Sequence, residues 1–222
     1  MTNPDNILIP PVNTEQEAYF LQTDYLSNST LKAAVDEYEG RSKPDNLDEI
    51  FEFGRLVHHI ALEPEKADRF HDNWDQAFGM ANALLENRLT KMFLEMGGNK
   101  YEHEFYRTIN GVKRRCKCDF FNEPTNTIID FKGLASTSKN SFLNAIQFFD
   151  IDQQAAWYID TTGAEKFIVI GVSKKQKKVA GKSFYPTWEH VIRIGSEDYI
   201  KGRLKYERAL QIIQQSKVME ND

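Results

Sequence analysis

The chain has 222 residues, of which 41% are hydrophobic and 27% charged, with a net charge of −5 at pH 7. That composition supports a buried core and excludes an intrinsically disordered chain, and no apolar run approaches the roughly 20 residues needed to cross a bilayer. The acid excess excludes a protein that coats nucleic acid indiscriminately, though not one that carries local basic patches.

Residues 1–20 are polar, include Pro4, Pro10 and Pro11, and read as an extended arm; residues 21–222 read as one domain. Ser27-Asn28-Ser29-Thr30 ahead of Leu31, Ala34, Val35 and Tyr38 predicts an N-capped helix. A loop over residues 40–46 leads to a helix from about Asp48 to Leu62, stopped by Pro64. Residues 66–96 read as further helices, broken around Gly79 and ended by Gly97-Gly98. Strands are predicted at about 101–109, 113–121 and 127–132, then a helix over 141–161 interrupted near Asp150. Strands at about 166–173 and 188–194 flank a lysine-rich segment, and a helix over 198–216 follows. Helices, a three-strand meander, helix, strand, strand and helix suit an α/β fold with a mixed central sheet and an added helical N-terminal part.

Chemistry concentrates on the second and third strands. An Asn-Glu-Pro-Thr-Asn cluster over 122–126 predicts a hairpin turn. A turn centred on Pro124 and Thr125 sets Asp119 directly opposite Asp130, and paired residues on antiparallel strands share a face. Alternation puts Lys132 on the face of Asp130 and turns Ile129 and Phe131 to the other. Two facing carboxylates repel unless a cation or proton lies between them. A divalent metal answers that repulsion, and an ammonium one pleat away would stabilise charge developing on a phosphate.

The Asp119…Asp130-Phe131-Lys132 arrangement resembles the core of the PD-(D/E)XK nuclease superfamily. Upstream, Gly54, His58, Glu63 and Pro64 form a Gly-x-x-x-His-x-x-x-x-Glu-Pro pattern similar to the histidine motif of RecE-type exonucleases, relatives of the RecB nuclease domain. Gln154 and Tyr158 are similar to that family's Gln-x-x-x-Tyr helix. The resemblance runs from about Tyr25 to about Gly171, with the blocks in the family's order. It implies a restriction-endonuclease-like core and a Mg²⁺-dependent exodeoxyribonuclease, with Mn²⁺ as a substitute metal. Such an enzyme would hydrolyse linear duplex DNA from its ends, 5′ to 3′, for recombination in a phage or prophage setting.

By the same resemblance His58, Asp119, Asp130 and the Phe131 carbonyl hold the metal, and Lys132 serves the attacking water and the phosphate. Gln154 and Tyr158 support them, with a glutamate on the preceding strand, for which Glu104 is favoured over Glu102. Relatives form rings, which implies a homo-oligomer, and a single-strand annealing protein is an implied partner. The sequence departs from the family after Lys132, where Gly133-Leu134-Ala135 replace two threonines; Ser136, Thr137 and Ser138 follow closely. A different nuclease of the superfamily, either an endonuclease or a single-strand-specific enzyme, and a non-catalytic DNA-binding module of the same fold are the alternatives.

Lys113, Arg114, Arg115 and Lys117 form a basic patch next to Asp119 in sequence and are expected to contact DNA phosphates. Lys174, Lys175, Lys177, Lys178 and Lys182 form a second patch, read first as a solvated hairpin. Phe148 and Phe149 read as packing residues rather than as a wedge against a DNA end. His59, about 100° around the helix from His58, reads as a bystander. Cys116 and Cys118 at i, i+2 on a strand cannot easily bridge to each other and are expected as reduced thiols. With no signal-peptide pattern at the N-terminus, the cytoplasm is the expected location.

Overall fold

The structure, a computed structural model, describes residues 24–42 and 44–219. The arm expected at 1–20 lies outside the described residues. Helix α1 (Asn28–Tyr38) begins at Ser27, whose Oγ accepts from the Thr30 backbone N–H at 3.2 Å, while the Ser27 N–H donates to the Thr30 hydroxyl. That reciprocal cap satisfies two donors a helix start otherwise leaves orphaned. Helix α2 (Leu47–Leu62) ends before Pro64, which opens a short 3₁₀ turn.

Helix α3 (Trp74–Glu86) runs straight through Gly79, where the sequence predicted a break. A helical glycine costs only about 1 kcal/mol, and the missing side chain makes room for the Tyr185 ring, 2.5 Å from where a Cβ would stand. The break falls instead at Asn87, whose side chain caps α4 (Arg88–Met96) by accepting from the Leu89 N–H at 2.9 Å.

Strands β1 (Asn99–Ile109), β2 (Val112–Asn122) and β3 (Thr127–Leu134) form the expected meander. Helices α5 (Lys139–Phe148) and α6 (Ile151–Thr162) cross over to β4 (Lys166–Ser173). A small hairpin of β5 (Lys177–Val179) and β6 (Lys182–Phe184) precedes β7 (Thr187–Arg193), and α7 (Glu197–Met219) follows. The main sheet has the order β1-β2-β3-β4-β7, parallel only between β3 and β4. It is therefore a mixed sheet, as expected. Asp150, with φ of 56°, supplies the left-handed step that separates α5 from α6.

Each face of the sheet carries its own core. On one side Ile129, Phe131, Ile168 and Ile170 pack against Leu56, Val57, Met80 and Leu84 of α2 and α3. On the other, Ile128, Phe167 and Val169 pack against Phe142, Trp157, Tyr206 and Leu31. Glycine sets how closely the second layer approaches. Gly171 pairs with Lys132 across β3 and β4, and the Phe142 ring fills the space where its Cβ would be. Gly202 lets α7 approach α6 so closely that a Cβ there would sit 2.0 Å from the Asp152 backbone oxygen. Gly202→Ala should therefore force the two helices apart and cost about 3 kcal/mol, measured as a lower urea midpoint. An unchanged midpoint would show that the helices have room to separate.

Candidate active site

The ladder between β2 and β3 stops one residue short of the predicted carboxylate pair. Phe120↔Ile129, Phe121↔Ile128 and Asn122↔Thr127 keep the expected register, which extrapolates to Asp119 opposite Asp130. From there the strands part. The Asp119 carboxylate takes over from the ladder by accepting from the Phe131 N–H at 2.6 Å. The carbonyl oxygen of the same residue, Phe131, lies 3.0 Å from His58 Nε2, which α2 presents from the layer where the Phe131 ring packs. His58 Nδ1 lies 3.4 Å from Asp119 Oδ1.

Asp130 turns the other way. Its Oδ2 is 2.6 Å from the Lys132 ammonium, and its Oδ1 accepts from Gln154 Nε2 of α6 at 2.9 Å. Asp130 and Lys132 share a face while Phe131 and Ile129 pack in the opposite core, as alternation predicts. The two aspartates thus flank one backbone segment with different partners. A cleft of about 590 Å³ opens over Asp119, lined by His58, Glu102, Asp119, Phe131, Lys132 and Gln154 together with Arg55 and Lys174, while Asp130 is buried and does not line it.

Glu102, rather than the expected Glu104, reaches this cluster. Ligand atoms of His58, Glu102 and Asp119 all lie within 4.8 Å of one another. A cation at 2.0–2.6 Å from each oxygen could bridge such a spacing. Glu104 sits one pleat away, opposite Lys117, and accepts from the Tyr106 hydroxyl at 2.8 Å. The deciding signal was present in the sequence. Asn110 and Gly111 form a two-residue turn with φ of 49° and 78°, which pairs Ile109 with Val112. Counting back from that mirror-type hairpin turn places Glu102 opposite Asp119.

Charge and burial set the protonation of the group. Burial alone would lower the His58 pKa, but the Asp119 carboxylate outweighs it and raises the ring to about 9. Burial would raise Asp119, yet the His58 imidazolium, Lys132 and the Phe131 N–H hold it below its ordinary value. Asp130 is pushed up to about 6 by burial, with Lys132 opposing and Asp119 reinforcing the shift. Burial would strip Lys132 of its proton, but Asp130 and Asp119 hold that proton on, above the ordinary lysine value. Glu102 is raised by burial and by repulsion from Asp119, with Lys117 3.0 Å away opposing.

Other expected residues lie elsewhere. Tyr158 does not line the cleft; its ring packs into the core against Phe167, because α6 turns it toward β4. The first basic patch is not a surface strip beside the cleft. Arg114 and Arg115 are buried, Leu26 pairs alongside them on β2, and α6 and α7 cover Arg114. The Arg114 guanidinium stacks on Trp157 at 4.7 Å and Tyr206 at 5.3 Å. Lys113 reaches Asp24, and Lys117 joins the cluster through Glu102. Phe148 and Phe149, expected in packing, are 80% and 51% exposed, and Phe149 borders the cleft. His59 also borders the cleft but is not part of the ligand cluster. Cys116 and Cys118 are free thiols, and both are buried.

Residues 68–221 match the family model described as a PDDEXK-like domain of unknown function, DUF3799. The family match covers Glu102, Asp119, Asp130, Lys132 and Gln154 but begins after His58. No curated protein matches the sequence. Among solved structures, a candidate exonuclease from Eubacterium rectale aligns with a TM-score of 0.58 at 17% identity, covering 96% of this chain and 86% of that one. A phage-related exonuclease from Haemophilus somnus aligns with a TM-score of 0.46 at 13% identity, over 89% and 96% of the two chains. An alkaline exonuclease from Laribacter hongkongensis gives 0.38 at 11% identity, over 93% and 96%.

The His58–Asp119 pair predicts a pH signature. A pKa raised from 6.5 to about 9 stabilises the fold fully below pH 6.5, and that stabilisation fades as pH rises through 9. In EDTA the melting temperature should fall across this interval, and His58→Gln should flatten the fall. The shift caused by added Mn²⁺ should grow over the same interval, because cation and proton compete for the ring. A His58→Gln protein with the parental pH slope would show that the pair contributes nothing.

Proposed function

The chain belongs to the PDDEXK-like DUF3799 family, and from that premise we propose that it is a metal-dependent exodeoxyribonuclease acting on the ends of linear duplex DNA. The observation that carries the proposal is the grouping of His58, Glu102 and Asp119 around one point of a cleft that also contains the Lys132 ammonium. His58, Glu102 and Asp119 would hold the cation, with the Phe131 carbonyl and Asp130 as neighbouring oxygens. Mg²⁺ is the proposed ion and Mn²⁺ its substitute. When bound, such an ion neutralises the phosphodiester oxygens and lowers the pKa of water.

Lys132 has a different task. Two carboxylates hold its proton in place, so it acts as a cation rather than as a base. It orients the attacking water and stabilises charge on the phosphate as the phosphorus–oxygen bond breaks. Gln154 is a positioning residue. By donating to Asp130 Oδ1 it fixes the carboxylate whose other oxygen holds Lys132. Further proposals follow from the resemblance of the motifs: 5′ to 3′ polarity, a recombination role with an annealing protein, a single domain over residues 21–222 and a ring-shaped homo-oligomer.

With Mg²⁺, linear duplex should be degraded with early release of a 5′ label, while EDTA stops the reaction and a covalently closed plasmid survives. Cleavage of the closed plasmid would instead make this an endonuclease. Lys132→Met should lose roughly 10³-fold in kcat while keeping the metal-induced rise in melting temperature. Lys132→Arg should also be slow, because a planar fork places its charge differently. Parental rates in Lys132→Met would remove the catalytic role.

A further inference from the structure

The β5–β6 hairpin gathers exposed lysines on this acidic chain. Lys175, Lys177, Lys178 and Lys182 are exposed on or beside it, and Lys174 at its root is half-buried. Among the described residues none of the five forms an ion pair. Lysines elsewhere do: Lys91 pairs with Glu86, Lys100 with Glu123 and Lys201 with Glu197. Unpaired lysines gathered on one small element repel one another and favour a polyanion.

The hairpin is also fixed relative to the cleft. The Lys174 N–H donates to the Leu134 carbonyl at 2.7 Å, two residues beyond Lys132, and Gln76 Nε2 donates to the Lys174 carbonyl at 2.9 Å. Lys175 is tied to Ser173 by its N–H at 3.0 Å and its carbonyl at 2.8 Å. Lys174 and Leu134 both line the cleft, so the root of the hairpin adjoins the candidate active site. Ala180 and Gly181, with φ of 49° and 80°, make the tip a tight turn. The pairs Lys177↔Phe184 and Val179↔Lys182 put Lys177, Lys182, Val179 and Phe184 on one face of the ribbon.

We propose that this hairpin is a duplex DNA contact, whose lysines grip backbone phosphates as the strand enters the cleft. The proposal rests on the nuclease reading and extends it to how the substrate is held outside the chemistry. A two-stranded ribbon is narrow enough for the major groove, about 12 Å wide, and its lysines would reach phosphates on the groove walls.

The test compares the triple variant Lys177→Ala, Lys178→Ala, Lys182→Ala with a charge-matched control, Lys91→Ala, Lys100→Ala, Lys201→Ala. Binding of a fluorescent blunt duplex is measured in EDTA across a salt series, and p-nitrophenyl thymidine 5′-phosphate hydrolysis is measured with Mn²⁺. The hairpin variant should lose at least tenfold in duplex affinity at low salt. Its log–log salt slope should flatten by about 0.9 for each phosphate that the lysines no longer neutralise. Hydrolysis of the small diester should be unchanged, and the control should bind nearly as the parent does.

A hairpin variant with parental affinity and slope overturns the proposal while leaving the nuclease reading intact if the parent cleaves the small diester. A parent that cleaves neither the small diester with Mn²⁺ nor, once EDTA is replaced by Mg²⁺, the duplex, but binds duplex through the hairpin, overturns the nuclease reading and keeps the DNA-binding role of the lysines. A parent without duplex affinity overturns the hairpin proposal. So does a variant impaired only in binding to phosphatidylserine vesicles, which would make the lysines a membrane contact.

Discussion

The site depends on one local event, the parting of β2 from β3 at Asp119. Up to Phe120 the two strands are an ordinary antiparallel pair. Beyond it, a side-chain carboxylate replaces a backbone carbonyl as the acceptor for the Phe131 N–H. The exchange keeps a buried donor satisfied, which the interior requires, and it opens a gap in the sheet. Into that gap α2 inserts His58 from one layer, while α6 brings Gln154 from the other.

The charges in the gap balance with little margin. His58, Lys117 and Lys132 face Asp119, Glu102 and Asp130, linked pairwise at 3.4, 3.0 and 2.6 Å. Buried carboxylates this close are tolerable only with cations among them. In the metal-free chain, a proton on His58 and the two lysines fill that role. A divalent ion requires the neutral ring, so its binding would exchange the imidazolium proton for a larger charge.

Much of this was legible in the sequence. The β2–β3 register followed from the turn at Pro124 and Thr125, and it fixed the facing of Asp130, Lys132 and Phe131. The helix with His58 and the mixed sheet were legible for the same reason: strong periodicity and clear turn chemistry. What misled was context at longer range. Arg114 and Arg115 look like surface charge, but both are buried, Arg114 beneath Trp157 and Tyr206 of two helices, which no local pattern records. Tyr158 shares a helix face with Gln154, yet the layer it meets is β4 rather than the cleft. Gly79 looks like a helix break until Tyr185, far along the chain, takes the space. Glu102 is a different case, because the Asn110-Gly111 turn fixed its register and counting from that turn would have found it.

The central claim is that the parted strands hold a divalent cation among His58, Glu102 and Asp119. It is tested most directly by anomalous diffraction from a crystal soaked in Mn²⁺. One strong peak is expected within coordination distance of His58, Glu102 and Asp119. A peak elsewhere in the molecule, or none at a concentration that shifts the melting temperature, would contradict it.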